Sequence, residues 1–175
     1  MEIRESEDRD RHSIRAVHRE AFGESEGDLV SELAISLLED RTARPILSLV
    51  AEDSGEITGN IIFSTAHIDG AEDISAYILA PLAVKKNHQR SGIGTQLITH
   101  GLEMLRERGA TVVLVYGDPH YYKRTGFVAG HGLEPPHALK YPVDAWMAQH
   151  LKESTPAEIR GKVRCARSLN PPEYW

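Results

Sequence analysis

The residues best placed to do chemistry in this 175-residue chain are seven in a row, Gln89-Arg90-Ser91-Gly92-Ile93-Gly94-Thr95, set between an apolar strand and an amphipathic helix. Glycines at such a junction let the main chain approach an anion closely. The unpaired N–H groups that open a helix add the positive end of its dipole, so the segment can hold a phosphate or pyrophosphate. Arg90 and Thr95 contribute a charged and a hydroxyl donor. Lys85, Lys86 and His88 stand just upstream, either drawn to the same anion or simply solvated. Two familiar phosphate loops do not fit. A nucleotide-hydrolase loop needs a lysine after its second glycine, where Ile93-Gly94-Thr95 supplies none, and a dinucleotide fingerprint needs a third glycine where Leu97 stands. Alone, the Gly-x-Gly pair is equally compatible with a plain strand-to-helix turn.

Other chemistry is harder to find. The nine histidines, His12, His18, His67, His88, His100, His120, His131, His137 and His150, are dispersed without a metal-ligand spacing, so no metal site is predicted. Cys165 is the one cysteine and has no acid or base near it in sequence, which makes it a structural thiol and rules out an internal disulfide. A net charge of −6 argues against a dedicated nucleic-acid binder. No stretch approaches the ~18 apolar residues of a membrane span. The charged start MEIRESEDRDRHSIR lacks the apolar core of a secretory signal. Together these predict a cytoplasmic protein of one domain, residues 1–175, with no membrane or nucleic-acid partner.

The elements that would position the glycine loop follow from periodicity. A short strand around Ile3 precedes a helix from about Asp8 carrying Ile14, Val17 and Ala21, stopped by Gly23, and a second helix from Ser25 or Asp28 to Glu39 carrying Leu29, Leu33 and Leu37. Segments 46–53 and 57–68 form an antiparallel hairpin over Ser54-Gly55. Segment 74–84 is a third apolar strand, with a bulge or break expected at Pro81, which has no N–H to give. A long helix follows, with Ile93, Leu97, Ile98, Leu102 and Leu105 on one face, and then a buried strand at 111–117. A short helix over 118–126, a strand from Phe127, a loop at 131–142 and strands near 144–151 and 160–167 complete the chain. The fold class is α/β or α+β, a mixed sheet with helices on both faces.

The run LAVKKNHQRSGIGTQL, with Gln89, Gly92 and Gly94 at its defining positions, resembles the acyl-CoA motif of the GNAT superfamily of N-acetyltransferases. A second match, Tyr121-Tyr122-Lys123-Arg124-Thr125-Gly126-Phe127, stands where that family carries an aromatic pair followed by Gly-Phe, and the order of elements agrees. Ala80-Pro81-Leu82-Ala83-Val84 and Gly117-Asp118-Pro119-His120-Tyr121-Tyr122 look most like the bacterial YhbS-type branch. The likeness extends over residues 1–130 in layout, is specific over 80–127, and sets a motif core at 74–130 apart from a variable part at 131–175.

The resemblance implies a splayed central sheet and transfer of an acetyl group from acetyl-CoA to a primary amine by direct attack in a ternary complex. The N–H groups of Gln89, Arg90, Ser91, Gly92, Ile93, Gly94 and Thr95 would bind the pyrophosphate. Main chain at Leu82, Ala83 and Val84 would pair with the pantetheine arm, and the Leu82 N–H would face the thioester oxygen. Tyr122 takes the family position of the acid that serves the leaving thiolate, with Tyr121 and Asp118 beside the cofactor. A general base would come from Glu24, Glu72, Asp118 or His120. Glu24, Glu26 and Asp28 would favour a cationic amine or merely open a solvated helix. A noncatalytic acyl-CoA sensor is the rival reading, and either a monomer or a homodimer is compatible with the tail, whose Trp146 and Trp175 would cover its own sheet or a neighbour's.

Overall fold

The computed structural model describes residues 1–152 and 159–175. Its strands are β1 (Glu2–Glu5), β2 (Ile46–Asp53), β3 (Glu56–Ile68), β4 (Ala76–Val84), β5 (Val112–Tyr116), β6 (Leu133–Glu134), β7 (Trp146–His150) and β8 (Gly161–Arg164). The first five and β7 lie side by side in that order; β8 pairs with the far end of β3, and β6 with β8. Within the main path only β4 and β5 run parallel, as two strands joined by a crossover helix must. The helices are α1 (Arg11–Glu39), α2 (Ile93–Glu107) and the single turn α3 (Pro119–Tyr122).

The sheet divides the interior into two cores. On one face Ile14, Val17, Leu33 and Leu37 of α1 pack on Ile62, Ile78, Val112 and Leu114; on the other Leu97, Ile98 and Leu105 of α2 pack on Ile61, Phe63, Leu79, Val113 and Val115. Successive residues of β5 alternate between the two cores, because side chains of a strand point to opposite faces. The hairpin between β2 and β3 turns at Ser54 (φ 52°) and Gly55 (φ 82°), both left-handed, as a two-residue connection demands.

The two helices expected before β2 are present as the two halves of α1, parted at Gly23, whose φ of 71° and ψ of −164° are not helical, and they approach so closely that a Cβ on Gly27 would lie 2.4 Å from the Arg19 carbonyl oxygen. Two expectations are revised. No strand starts at Phe127: its ring is buried in the α2-side core, Val128 pairs once with Ala148, and Gly130 (φ 76°) then turns the chain away. The loop at 131–142 contains the short β6, and Trp146 of β7 donates its indole N–H to Leu133 O there at 2.9 Å.

A polar peg joins α1 to β3. His18, with no exposed surface, meets Asn60 Oδ1 through Nε2 at 2.7 Å. Asn60 Nδ2 donates to Leu49 O at 2.8 Å and Ser48 Oγ at 3.1 Å, so Oδ1 is left to accept and His18 Nε2 must carry the hydrogen. His18 Nδ1 is then a buried acceptor with no partner among the described residues. Burial pushes the imidazole pKa down to about 4, the Asn60 bond opposing in part. An unfolded histidine titrates near ~6.5, so protons favour the unfolded chain between the two values. Stability is full above pH ~6.5 and falls by roughly 3 kcal/mol as pH drops towards ~4. Urea unfolding between those pH values should show this loss, and His18→Gln, which keeps a donor for Asn60 but cannot protonate, should flatten it; an unchanged slope in the variant would refute the assignment.

Candidate active site

Strands β4 and β5 pair from Ala76 with Val112 to Leu79 with Val115 and then part. The cause lies in β4, where Ala80 and Pro81 together stand opposite the single residue Ile62 of β3, a bulge at the break expected from Pro81. Beyond the bulge β4 stays paired with β3 through Leu82, Ala83 and Val84. The Lys85 N–H donates to Thr58 O at 2.9 Å, and since main-chain groups alternate along a strand, Ala83 also faces β3. Leu82 and Val84 therefore turn their N–H and C=O groups into the gap, where β5 no longer meets them.

The gap leads to the start of α2. Ile93 and Leu97 seat this helix on β3 at Gly59, where a Cβ would stand 3.2 and 3.0 Å from them. The N-cap is Gly92 in a left-handed conformation (φ 85°), and no side chain caps the first turn, whose N–H groups open towards the cleft. Arg90 is also left-handed (φ 61°). Gln89 braces the loop, its Nε2 donating to Val84 O at 2.9 Å. The Ser91 hydroxyl is spent on the His88 carbonyl. Lys85 is held by Glu56 and the Lys86 N–H by Glu20 of α1, so the upstream lysines are partly committed to the scaffold.

Gly94 has a different part. A Cβ there would lie 2.2 Å from the Tyr121 hydroxyl oxygen, so this glycine makes room for the tyrosine. The Tyr121 hydroxyl is hydrogen-bonded with Thr95, Arg124 lies 5.1 Å over its ring, and burial raises its pKa against the effect of that bond. Tyr122 packs edge-on against Tyr121 (5.1 Å) and Phe127 (5.8 Å) and sets the Cε2 edge of its ring close against Gly117, the residue that follows β5. Burial first, then Tyr121 and Asp118, hold the Tyr122 phenol well above its ordinary pKa, so it keeps its proton at neutral pH. Asp118 caps α3, accepting the His120 N–H at 2.9 Å.

These groups line one cleft of about 1410 Å³. It gathers Leu82, Ala83, Val84, Gln89, Arg90, Gly92, Ile93, Gly94, Thr95, Asp118, Tyr121 and Tyr122; of the sequence-derived set Ser91 alone stays outside its lining. Among the base candidates Asp118 and His120 face it, whereas Glu24 and Glu72 do not, and Glu72 instead accepts the Gly70 N–H. The cleft passes through the parted sheet to the α1 face. There it meets Glu26, Leu29 and Leu33 of α1 and a wall of Tyr116, Tyr141, Asp144, Glu173 and Trp175, which sequence reasoning missed. Only Tyr116 had a local signal, as the aromatic end of an apolar strand; the others come from loops without periodicity. Trp175 stacks on Tyr116 (5.9 Å, 6°) and meets Trp146 edge-on, so the tail covers its own sheet. Among the described residues no helix is long and apolar enough to cross a membrane, and no group of three acidic, histidine or cysteine side chains is placed to hold a metal.

A parted parallel pair with an uncapped helix start at its mouth can take an extended chain that ends in an anion, and comparison with known proteins supplies the class. The acetyltransferase (GNAT) domain model matches residues 2–130. The chain is 42% identical over 164 residues to the uncharacterized N-acetyltransferase YjhQ of Escherichia coli K12, covering 90% of this chain and 87% of that one. The structure of the E. coli GNAT family N-acetyltransferase YhbS in complex with CoA superposes with a TM-score of 0.87 at 31% identity, covering 97% of this chain and 92% of that one. A GNAT family acetyltransferase of Brucella melitensis in complex with acetyl-CoA gives 0.76 at 30%, covering 96% and 97%. The chain belongs to the GNAT family of acetyltransferases.

The contact between Gly117 and Tyr122 is open to a direct test. A Cβ at Gly117 would sit 2.5 Å from the Tyr122 ring, so Gly117→Ala should cost about 1–3 kcal/mol of stability. The same change in a Tyr122→Ala background should cost much less; equal costs in the two backgrounds would show that the ring is not held there.

Proposed function

We propose that the protein transfers an acetyl group from acetyl-CoA to a primary amine by direct attack within a ternary complex. One observation carries this reading: the N–H groups of Leu82 and Val84 and the Leu82 C=O, left without a strand partner among the described residues, line a gap that runs to the uncapped start of α2, while the Val84 C=O is held by Gln89. An amide-bearing arm ending in a diphosphate fits that path, its amides adding to β4 as a strand would and its phosphates meeting the N–H groups from Gly92 to Thr95. The relatives whose structures are in complex with CoA and acetyl-CoA support the same ligand. Residues 131–175 then belong to the same domain and wall the acceptor side.

Each chemical need has a residue in reach. The Leu82 N–H donates to the thioester oxygen as it gains charge, an interaction whose loss typically costs about 3–4 kcal/mol. The amine nitrogen bonds to the carbonyl carbon, the carbon–sulfur bond breaks, and the thiolate leaves towards Tyr122. The phenol, held above its ordinary pKa, donates a hydrogen bond to the developing thiolate and completes proton transfer only as the bond breaks. Asp118 and His120 border the path by which the amine's proton reaches water. A sensor would need no donor beside the sulfur, and the enclosed Tyr122 favours the transferase. Cys165, its thiol pushed up to about 11 by burial, is a poor nucleophile and fits a reducing, cytoplasmic setting.

Acetyl-CoA at a hundredfold excess over its Kd should raise Tm by about 5–10 °C. Gly92→Val, which forces a β-branched residue into a left-handed conformation, should abolish that rise. Tyr122→Phe should slow thiol release roughly a hundredfold while leaving most of the thermal shift. No shift at millimolar acetyl-CoA would overturn the ligand, and thiol release at the parent rate would remove Tyr122 from the chemistry.

A further inference from the structure

The α1-side half of the cleft is built from two kinds of surface. Tyr116 and the buried Trp175 lie parallel at 5.9 Å, with the exposed Tyr141 tilted against Tyr116 at the same distance. The Tyr116 hydroxyl oxygen accepts the Tyr141 N–H at 2.9 Å, and the Trp175 indole N–H donates to Leu169 O at 2.9 Å. What this wall offers is ring face and edge, with Leu33 opposite. At the rim stand three exposed carboxylates on three separate segments, Glu26 of α1, Asp144 ahead of β7, and Glu173 near the chain's last residue.

Those carboxylates are unpaired among the described residues, unlike their neighbours. Asp28, Glu32 and Glu39 on the same helix each hold an arginine of that helix. Glu26 has none, nor do Asp144 and Glu173, and the nearby Lys140 gives its ammonium to the main-chain oxygen of Glu173 at 3.3 Å. On these segments three carboxylates stand against the single ammonium of Lys140, the other cations of the cleft, Arg90, Lys123 and Arg124, belonging to the glycine loop and the segment after α3, so this rim is negative around a wall whose rings attract cations and pack against methylene groups.

Resting on the transferase reading above, we propose that the acceptor is an aliphatic diamine or oligoamine, an amine with a second positive charge across an apolar spacer. Its reacting nitrogen lies against Tyr116 and the buried Trp175, whose apolar surface favours the neutral form that attacks the thioester. The spacer covers the rings, and the distal ammonium sits among Glu26, Asp144 and Glu173. The same rim repels an acceptor that carries its own carboxylate.

Three six-carbon amines that differ only in their far end test this: the diamine, the amino alcohol and the amino acid, each assayed for acetyl-CoA-dependent thiol release. The diamine should exceed the amino alcohol about tenfold in kcat/KM, a gap that shrinks with added salt, and the amino acid should be the poorest. Asp144→Asn combined with Glu173→Gln should remove most of the diamine's advantage, chiefly through KM. Equal kcat/KM for all three, a preference for the amino acid, or an advantage that survives the double substitution would overturn the proposal. Thermal stabilisation by acetyl-CoA without turnover of any of the three would also overturn it while leaving acetyl-CoA binding standing. Absence of that stabilisation would instead overturn the underlying reading, and the proposal with it.

Discussion

A sheet strand whose neighbour leaves it must satisfy its main-chain groups some other way, and in this fold that requirement arises in the middle of the sheet. β4 keeps β3 along its whole length but loses β5 after Leu79, so Leu82 and Val84 present polar groups to an opening flanked by apolar cores. Unpaired main-chain groups in such a place cost free energy unless water or a ligand meets them. The bulge at Ala80 and Pro81 is what turns the strand out of step with its neighbour, and the gap it opens becomes the passage on which the site is built.

Both faces of the sheet serve that passage, and the side chains around it have structural and chemical duties at once. On the α2 side, Gly92 supplies a left-handed helix start, Gly94 the room for the Tyr121 hydroxyl, and Gly117 the room for the edge of the Tyr122 ring. On the α1 side, the break at Gly23 turns the chain so that the second half of α1 lines the cleft while Glu20, in its first half, holds the Lys86 N–H just upstream of the glycine loop. The His18–Asn60 peg fixes that first half on β3. The two halves of α1 thus reach both the segment ahead of the glycine loop and the α1-side wall of the cleft.

Much of this was legible in the sequence, and the reasons are local. The period of Ile93, Leu97, Ile98, Leu102 and Leu105 announces α2; Ser54-Gly55 announces the hairpin; Pro81 announces the bulge, because a missing N–H cannot join a ladder. The glycine loop reads as an anion site from residue types alone, yet the division of labour between its glycines depends on Tyr121, some 27 residues on from Gly94, and has no local signal. Gly23 reads as a stop because a glycine inside a helical pattern usually ends it, and its left-handed, non-helical backbone does part the two halves of α1. Phe127 looked like the start of a strand because it is large and apolar, and tertiary burial accounts for it instead. The acceptor wall escaped notice since Tyr141, Asp144, Glu173 and Trp175 sit in loops with no repeating spacing, brought together only by the fold.

The central claim is that the main chain of β4 at the parting, and not merely the glycine loop, takes up the ligand. Amide hydrogen exchange followed by NMR with and without acetyl-CoA tests it residue by residue. The Leu82 and Val84 amides should become strongly protected on binding together with those of Gly92 to Thr95, while Ala83, already paired with β3, changes little. Protection confined to the glycine loop, with Leu82 and Val84 exchanging as fast as before, would contradict the account.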